Sequence, residues 1–193
     1  MNNKKSELIY NQLIQGKYIN KDLFDKDKNT LEDNILFIEI DTYFSDYQDF
    51  YLKIGMKLNK ETEFIYLSRI KDKEEEFNID KQQYKQFFLI NIIFRYLLNK
   101  NKSLDDFKNK DIGISEDIID NIFKEPEYSD FFEHAEITNS NSPINLILEK
   151  RNIVYKNAND NYVLTNIGIS FLNKIEQVGA NINEGFEDEK NVY

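Results

Sequence analysis

The stretch Gly55–Leu67, GMKLNKETEFIYL, has the pattern of a β-hairpin. Its two apolar runs flank a polar turn at Asn59–Thr62, and their alternation is typical of strands with one buried face. A second stretch of this kind, NIVYKNANDNYVLT, follows at 152–165. Each comes directly after a predicted helix. Because an isolated two-stranded hairpin is only marginally stable, each needs a helical core beside it.

The first helix is expected to begin at a Ser6 cap and to end near Gln15, with Leu8, Ile9, Leu13 and Ile14 on its apolar side. Gly16 stands where a helix C-cap takes the left-handed conformation. The following link Tyr18–Asn20 is expected to be extended.

A brief turn holding Leu23 and Phe24 is expected next, and then a helix that opens at Thr30 with Leu31, Ile35, Leu36 and Ile38 on its apolar face. Further helices are predicted over 43–54, 80–98, 103–107, 115–123, 126–135, 142–151 and 165–175. Of their starts, Ser115, Ser142 and Thr165 are predicted N-caps.

Helices followed by a two-stranded wing make the winged-helix order of elements, and this order occurs twice. The predicted fold class is therefore mainly α with two small β-hairpins, as tandem winged-helix domains plus an acidic C-terminal tail. The N-terminal domain spans 1–77, the C-terminal domain spans 78–178, and the tail spans 179–193. The alternative is an irregular α+β domain with two incidental hairpins.

Charge and composition limit the classes of function. The 193-residue chain has a net charge of −10 and no cysteine, which excludes a disulfide framework and a cysteine zinc site. The most apolar run, Phe87–Leu98, is shorter than the ~20 residues of a membrane span. The predicted location is cytoplasmic, with no membrane partner.

Motifs of catalysis are missing from the sequence. It holds no GxxxxGK[ST], GxGxxG or HExxH pattern, and its only histidine, His134, is expected to be structural. Runs of carboxylates such as Asp105–Asp106 have the pattern of solvated faces. The chain is predicted not to be an enzyme and to need no cofactor or metal.

Two groups of residues are candidates for binding. The first is basic: Lys150, Arg151 and Lys156 stand at the end of a helix and the start of the second hairpin, where a winged helix can meet the DNA backbone. The alternative is an ordinary solvated patch. The second is aromatic and comprises Tyr43, Phe44, Tyr47, Phe50 and Tyr51. It is either part of a core or a protein interface, since Tyr and Phe are enriched in interface cores.

The segments LIQGKYINKDLF and FYLKIGMKLNKETEFIYLS resemble the MukE/MksE family, the tandem winged-helix subunits of bacterial SMC condensins. The chain is nearer to the MksE-like branch, and the shared order of elements covers about 6–178. Glu63 departs from the glycine that often precedes the aromatic strand in the family. The matching positions are Gly16, Lys17, Tyr18, Ile19, Phe50, Tyr51, Leu58, Phe64, Tyr66 and Leu67.

The resemblance implies a non-enzymatic, nucleoid-associated subunit that binds a MukF- or MksF-type kleisin beneath SMC ATPase heads. Its role is then DNA condensation and chromosome partition, or plasmid restriction. A homodimer through the N-terminal domain is expected, with weak, sequence-independent DNA contact inside the complex. The runner-up is a winged-helix transcription regulator that reads bases with Asn141, Asn145 and Arg151. A third interpretation is an adaptor unrelated to SMC proteins.

Overall fold

A computed structural model describes residues 2–70, 81–137 and 143–177. The described chain is mainly helical with small antiparallel sheets, which confirms the predicted fold class at that level. Its helices are α1 (Asn3–Ile14), α2 (Ile35–Thr42), α3 (Phe44–Lys53), α4 (Lys81–Asn99), α5 (Leu104–Lys108), α6 (Glu116–Lys124), α7 (Pro126–His134), α8 (Pro143–Ile147) and α9 (166–177). Its strands are β1 (Ile19–Asn20), β2 (Asp22–Asp25), β3 (Thr30–Asp33), β4 (Met56–Lys60), β5 (Phe64–Arg69), β6 (Val154–Lys156) and β7 (Tyr162–Leu164).

The first predicted hairpin, β4–β5, belongs to a three-stranded sheet in the order β1-β5-β4, in which β5 is the central strand. Residue Ile19 of β1 stands opposite Ile65, so the expected extended link after Gly16 is a short edge strand. One face of this sheet packs on helices α1 to α3. Their shared core consists of Ile9, Leu13, Ile19, Leu36, Phe37, Ile40, Tyr47, Tyr51, Leu58 and Ile65.

The second predicted hairpin, β6–β7, belongs to a core built around α4. This helix buries Leu89, Ile90, Ile92, Ile93, Tyr96 and Leu97. Tyr18 and Phe64, from the first half of the chain, are also members of this second core. Apolar packing therefore joins the two halves of the chain.

A third hairpin was not predicted. Residues 22–33 form strands β2 and β3, and the turn between them contains Asn29 with φ +53°. The prediction of a brief turn at Leu23 and Phe24 and of a helix that begins at Thr30 is therefore wrong. Asn34, rather than Thr30, caps α2: its side-chain oxygen accepts the Leu36 N–H at 2.9 Å.

The third hairpin packs on the second one. The Phe24 ring stacks on Tyr155 with 4.8 Å between ring centroids. The Lys26 ammonium lies 2.6 Å from an Asp160 carboxylate oxygen. Burial raises the pKa of Tyr155 to about 12, with a smaller contribution from nearby Asp111. The hairpin therefore gains its stability from a tertiary contact more than from its own pattern.

Several apolar residues do not face the core as predicted. Ile35 and Ile38 on α2 are 58% and 48% exposed, because the Asn34 cap sets a helix phase that buries Leu36 and Ile40. On α1, Leu8 and Ile14 are likewise exposed, whereas Ile9 and Leu13 are buried as predicted. Asn2, not Ser6, caps α1 by accepting the N–H groups of Lys4 and Lys5.

The remaining predicted helices are confirmed within one or two residues where the structure describes them, with one exception. The helix predicted over 142–151 ends at Ile147, and a 3₁₀ turn, Glu149–Arg151, follows it. The predicted starts of the 80–98 and 142–151 helices, the candidate base-reading residue Asn141 and the tail over 179–193 lie outside the described residues. So do residues 71–78 of the charged segment 69–78, which is the expected domain boundary. In the described ranges, no helix has the length and apolarity needed to cross a bilayer.

A buried side chain, Asn20, connects three segments of the chain. Its amide oxygen accepts the Ile167 N–H at 3.2 Å, and its amide nitrogen donates to the Asn152 carbonyl at 2.8 Å. The main-chain carbonyl of Asn20 accepts a hydrogen bond from the Asn34 side chain at 2.7 Å. Because Ile167 is in the first turn of α9, Asn20 serves as a helix cap supplied from far along the sequence.

The predicted cap of α9, Thr165, has a different role. Its hydroxyl donates to the carbonyls of Asn152 and Ile153 instead of accepting from the helix. The Asn152 side chain donates to the Tyr18 carbonyl at 2.8 Å, and the Tyr18 N–H donates to the Arg151 carbonyl at 3.0 Å. The segment before β6 is thus hydrogen-bonded to the segment before β1.

Replacing Asn20 tests the energetic importance of this junction. In Asn20→Ala the Ile167 N–H and the Asn152 carbonyl lose a buried partner, and each loss costs about 1–3 kcal/mol. We expect the free energy of unfolding to fall by about 2–4 kcal/mol in urea titrations. Asn11→Ala, on the exposed face of α1, is the control and should stay within about 0.5 kcal/mol of wild type. A loss below about 1 kcal/mol for Asn20→Ala would contradict this role.

Candidate protein and nucleic-acid interfaces

The basic residues Lys150 and Arg151 lie in a 3₁₀ turn, Glu149–Arg151, between α8 and β6. The turn ends at Asn152, whose φ of +62° reverses the chain into the hairpin. Lys150 is exposed and Arg151 is half-buried. Two of the three predicted DNA contacts are therefore adjacent and accessible at one end of the hairpin.

Arg151 reaches across to the first half of the chain. A Cβ placed on Gly16 would stand 2.4 Å from its Nη1 atom, so the guanidinium packs directly on the glycine. Gly16 has φ +71°, as predicted for a residue behind a helix. Arg151 consequently lines a groove together with Lys17 and Arg69.

Lys156 is placed differently from Lys150 and Arg151. Its ammonium stands 3.7 Å from a Glu116 carboxylate oxygen and 4.8 Å from the centre of the Tyr162 ring. Both partners compete with an external phosphate for the same charge. Of the predicted basic residues, Lys156 is therefore the least available for DNA.

The five aromatic residues of α3 and its start separate into two groups. Tyr47 and Tyr51 are 2% and 1% exposed and belong to the core of the first half. Burial raises the pKa of both hydroxyls, and the shift is larger for Tyr51. Phe44 is half-buried against the same core, whereas Tyr43 and Phe50 are 39% and 45% exposed. Of the five, only Tyr43 and Phe50 expose more than a third of their surface.

The exposed Phe50 ring is paired with another exposed ring, Tyr10 of α1, and we call this pair the apolar face. The two rings touch edge to face, 6.2 Å apart, and are 45% and 39% exposed. Exposed apolar patches on soluble proteins can mark interfaces. Other exposed apolar side chains on α1 to α3 and their borders are Leu8, Ile14, Ile35, Ile38, Tyr43, Leu52 and Ile54.

Several positions that carry the family resemblance, among them Tyr18, Phe64 and Tyr66, meet at the junction of the two halves. Tyr18 contacts the rings of Phe64 and Tyr66, with centroids 6.2 and 5.7 Å away. It also meets Phe171 of α9, edge on, at 6.1 Å. Ile19 and Leu58 are buried beside β5, and Lys17 and Leu67 line the neighbouring groove.

Sequence reasoning missed several residues of these surfaces. Asn20, Arg69 and Phe171 were not selected, because each gains its role from partners far along the chain. Asn20 directly follows the GKYI motif, but nothing in the local pattern indicates that its amide is buried. Arg69 stood inside a charged run and likewise had no local signal.

The one histidine has a local role. His134 is exposed at the end of α7, and its Nδ1 lies 2.7 Å from the Asp130 carbonyl. Among the described residues, no three of His, Cys, Asp or Glu stand close enough together to hold a metal ion.

Comparison with known proteins gives one match. A family model described as condensin complex protein MksE matches residues 4–176. No curated protein and no solved structure matches the chain significantly.

Proposed function

Because this chain belongs to the MksE family of condensin complex proteins, we propose that it is a non-enzymatic accessory subunit that binds the kleisin of an SMC-type complex. The observation that carries the proposal is the family match, which extends over residues 4–176 and so includes both hairpin-bearing halves. Nucleotide hydrolysis belongs to the SMC partner, and DNA condensation at the nucleoid is the output of the assembled complex.

In this proposal each half of the chain is a winged-helix unit, with 1–77 and 78–178 as the two domains and 179–193 as an acidic tail. The β4–β5 and β6–β7 hairpins are the wings. Supporting this, each hairpin packs on its own apolar core. The hydrogen bonds of Asn20 and Asn152 then hold the units in one mutual orientation.

The apolar face is proposed as the homodimer surface. It lies in the first half, where the paired rings of Tyr10 and Phe50 are 39% and 45% exposed. Burying such a surface against a second copy is favourable by about 25 cal/mol for each Å² of apolar area removed from water. The kleisin would then be bound by a two-fold scaffold.

The DNA contact is proposed to be weak and independent of sequence. Lys150 and Arg151 are accessible at the end of the second wing, within a chain of net charge −10. Contact is therefore local, and long-range attraction to the duplex is absent. Because Lys156 is engaged with Glu116, we assign it a minor part.

Isolation of the tagged chain from its native cell tests the proposed function. We expect a kleisin and an SMC ATPase to co-isolate with it in fixed ratio and to remain after nuclease treatment. The tagged kleisin should recover this chain in return. Recovery of the chain alone, or only with one tightly bound operator sequence, would favour the transcription-regulator alternative.

The dimer is tested by light scattering at micromolar concentration. The wild-type chain should have twice its mass of 23.1 kDa. Phe50→Glu places a charge in the apolar face and should weaken the dimer about thirty-fold or more, as for a central interface aromatic. Phe131→Glu, at a comparably exposed ring on α7, is the matched control and should leave the dimer intact. Equal effects of the two variants would count against this surface.

The DNA contact is tested in the assembled complex. Lys150→Glu with Arg151→Glu should lower affinity similarly for unrelated duplexes, because phosphate contacts carry no base information. The slope of log affinity against log salt should fall by about 1.8 for each copy that contacts DNA. Lys156→Gln, which removes an already paired charge, should change the slope much less. Normal DNA binding by the double variant would show that these residues are only a solvated patch.

A further inference from the structure

A groove at the junction of the two halves has an unusual charge for this acidic protein. It has a volume of about 270 Å³ and lies between the end of α1, strand β5, the start of α4 and Arg151. We call it the cationic groove, after Lys17, Arg69 and Arg151 in its wall. The other described residues of its wall, among them Tyr18, Tyr66 and Gln86, are neutral.

The three cations of the groove have no acidic partner among the described residues, although many lysines elsewhere do. Lys21, Lys60 and Lys100, for example, each stand within 4.0 Å of a carboxylate oxygen. Lys17 and Arg151 are moreover half-buried. Because no described carboxylate offsets these partly buried charges, an anion in the groove would be stabilising.

The groove also offers an open strand edge. The Lys21 N–H donates to the Glu63 carbonyl, and Ile19 pairs with Ile65. Because the main-chain groups of successive strand residues point to alternate sides, those of the odd-numbered residues of β5 point toward β1. The next such residues, Leu67 and Arg69, lie beyond the start of β1. No described strand pairs with them on that side. An extended peptide can add to such an edge through main-chain hydrogen bonds.

An aromatic cavity of about 290 Å³ adjoins the groove, and the two share Tyr18, Tyr66 and Gln83. It is lined by further rings, among them Phe64 and Phe171, and by one charge of each sign, Glu61 and Lys174. The surface as a whole therefore fits an extended acidic segment that also carries an apolar side chain.

The chain itself contains such a segment. Sixteen residues follow Gln177, and in them Phe186 stands among Glu184, Glu187, Asp188 and Glu189. We propose that residues 184–189 dock in the cationic groove, with their carboxylates on Lys17, Arg69 and Arg151 and with Phe186 in the aromatic cavity.

The distances permit this docking. The Phe171 ring of α9 is 6.1 Å from the Tyr18 ring, and Gln177 lies about 9 Å further along the helix. The seven residues from Gln177 to Glu184 extend to about 25 Å at most. A segment tethered this closely is present at an effective concentration in the millimolar range.

Docking of the segment would restrain Arg151, which also belongs to the proposed DNA contact. The tail carboxylates therefore compete with external anions for Arg151. The tail is displaced when the assembled complex supplies an anion that binds more strongly. The ion pairs between the tail carboxylates and the groove are partly exposed, so added salt should weaken them. At physiological ionic strength the screening length is already only ~8 Å.

Carbodiimide cross-linking of the full-length chain tests the docking directly, since it joins a carboxylate to a lysine only when they touch. We expect links from residues 184–189 to Lys17 that weaken at high salt and fall several-fold in Arg69→Gln with Arg151→Gln. Lys17→Arg, which keeps the charge but does not react, should abolish the links. Lys53 and Lys57, which are exposed and lack an ion pair to a described residue, are internal controls.

Equal linking to Lys53, Lys57 and Lys17 would overturn the proposal. So would links found only between differently isotope-labelled copies, since they would place the tail on a second molecule. A second measurement uses the full chain with all four tail carboxylates changed to amides. It should bind a labelled peptide of residues 178–193 at least ten-fold more tightly than wild type, and equal binding would contradict an occupied groove. These tests need no other subunit, so their outcome is independent of the proposed role in a condensin.

Discussion

A single buried amide sets the arrangement on which the rest of this structure depends. Asn20 is 2% exposed, and its side chain donates to one distant segment and accepts from another. Inside a protein, an unpaired amide is costly, whereas a fully paired one is rigid and specific. The hydrogen bond from the first turn of α9 to Asn20, the last residue of β1, therefore fixes how the two halves of the chain meet.

Both candidate surfaces at the junction follow from that constraint. The cationic groove takes Lys17 and Arg69 from the first half and Arg151 from the second. The aromatic cavity likewise combines Tyr18 with Phe171. Neither exists in either half alone. A subunit that serves as a scaffold gains from such a junction, because partner-binding groups on separate units keep fixed distances.

Much of the fold could be predicted from local pattern. The β4–β5 and β6–β7 hairpins have alternating apolar residues and polar turns, and helices such as α4 have long apolar periodicity. The third hairpin could not be predicted in this way. Its strand β3 is exposed at every position, so no alternation marks it, and its stability comes from the stacking of Phe24 on Tyr155. The side of α2 that faces the core depended on the Asn34 cap, whose side chain also donates to the main-chain carbonyl of Asn20.

The surfaces were harder to predict than the fold, since they combine residues that are far apart in sequence. The basic patch was found from local charge, but the ion pair between Lys156 and Glu116 could not be found without the fold.

Native-state hydrogen exchange at the Ile167 amide tests the junction most directly. We predict that this amide opens with the same free energy as the core amides of α4, since the halves separate only on global unfolding. An opening free energy at Ile167 far below that of the core amides, with both cores still protected from exchange, would contradict the account.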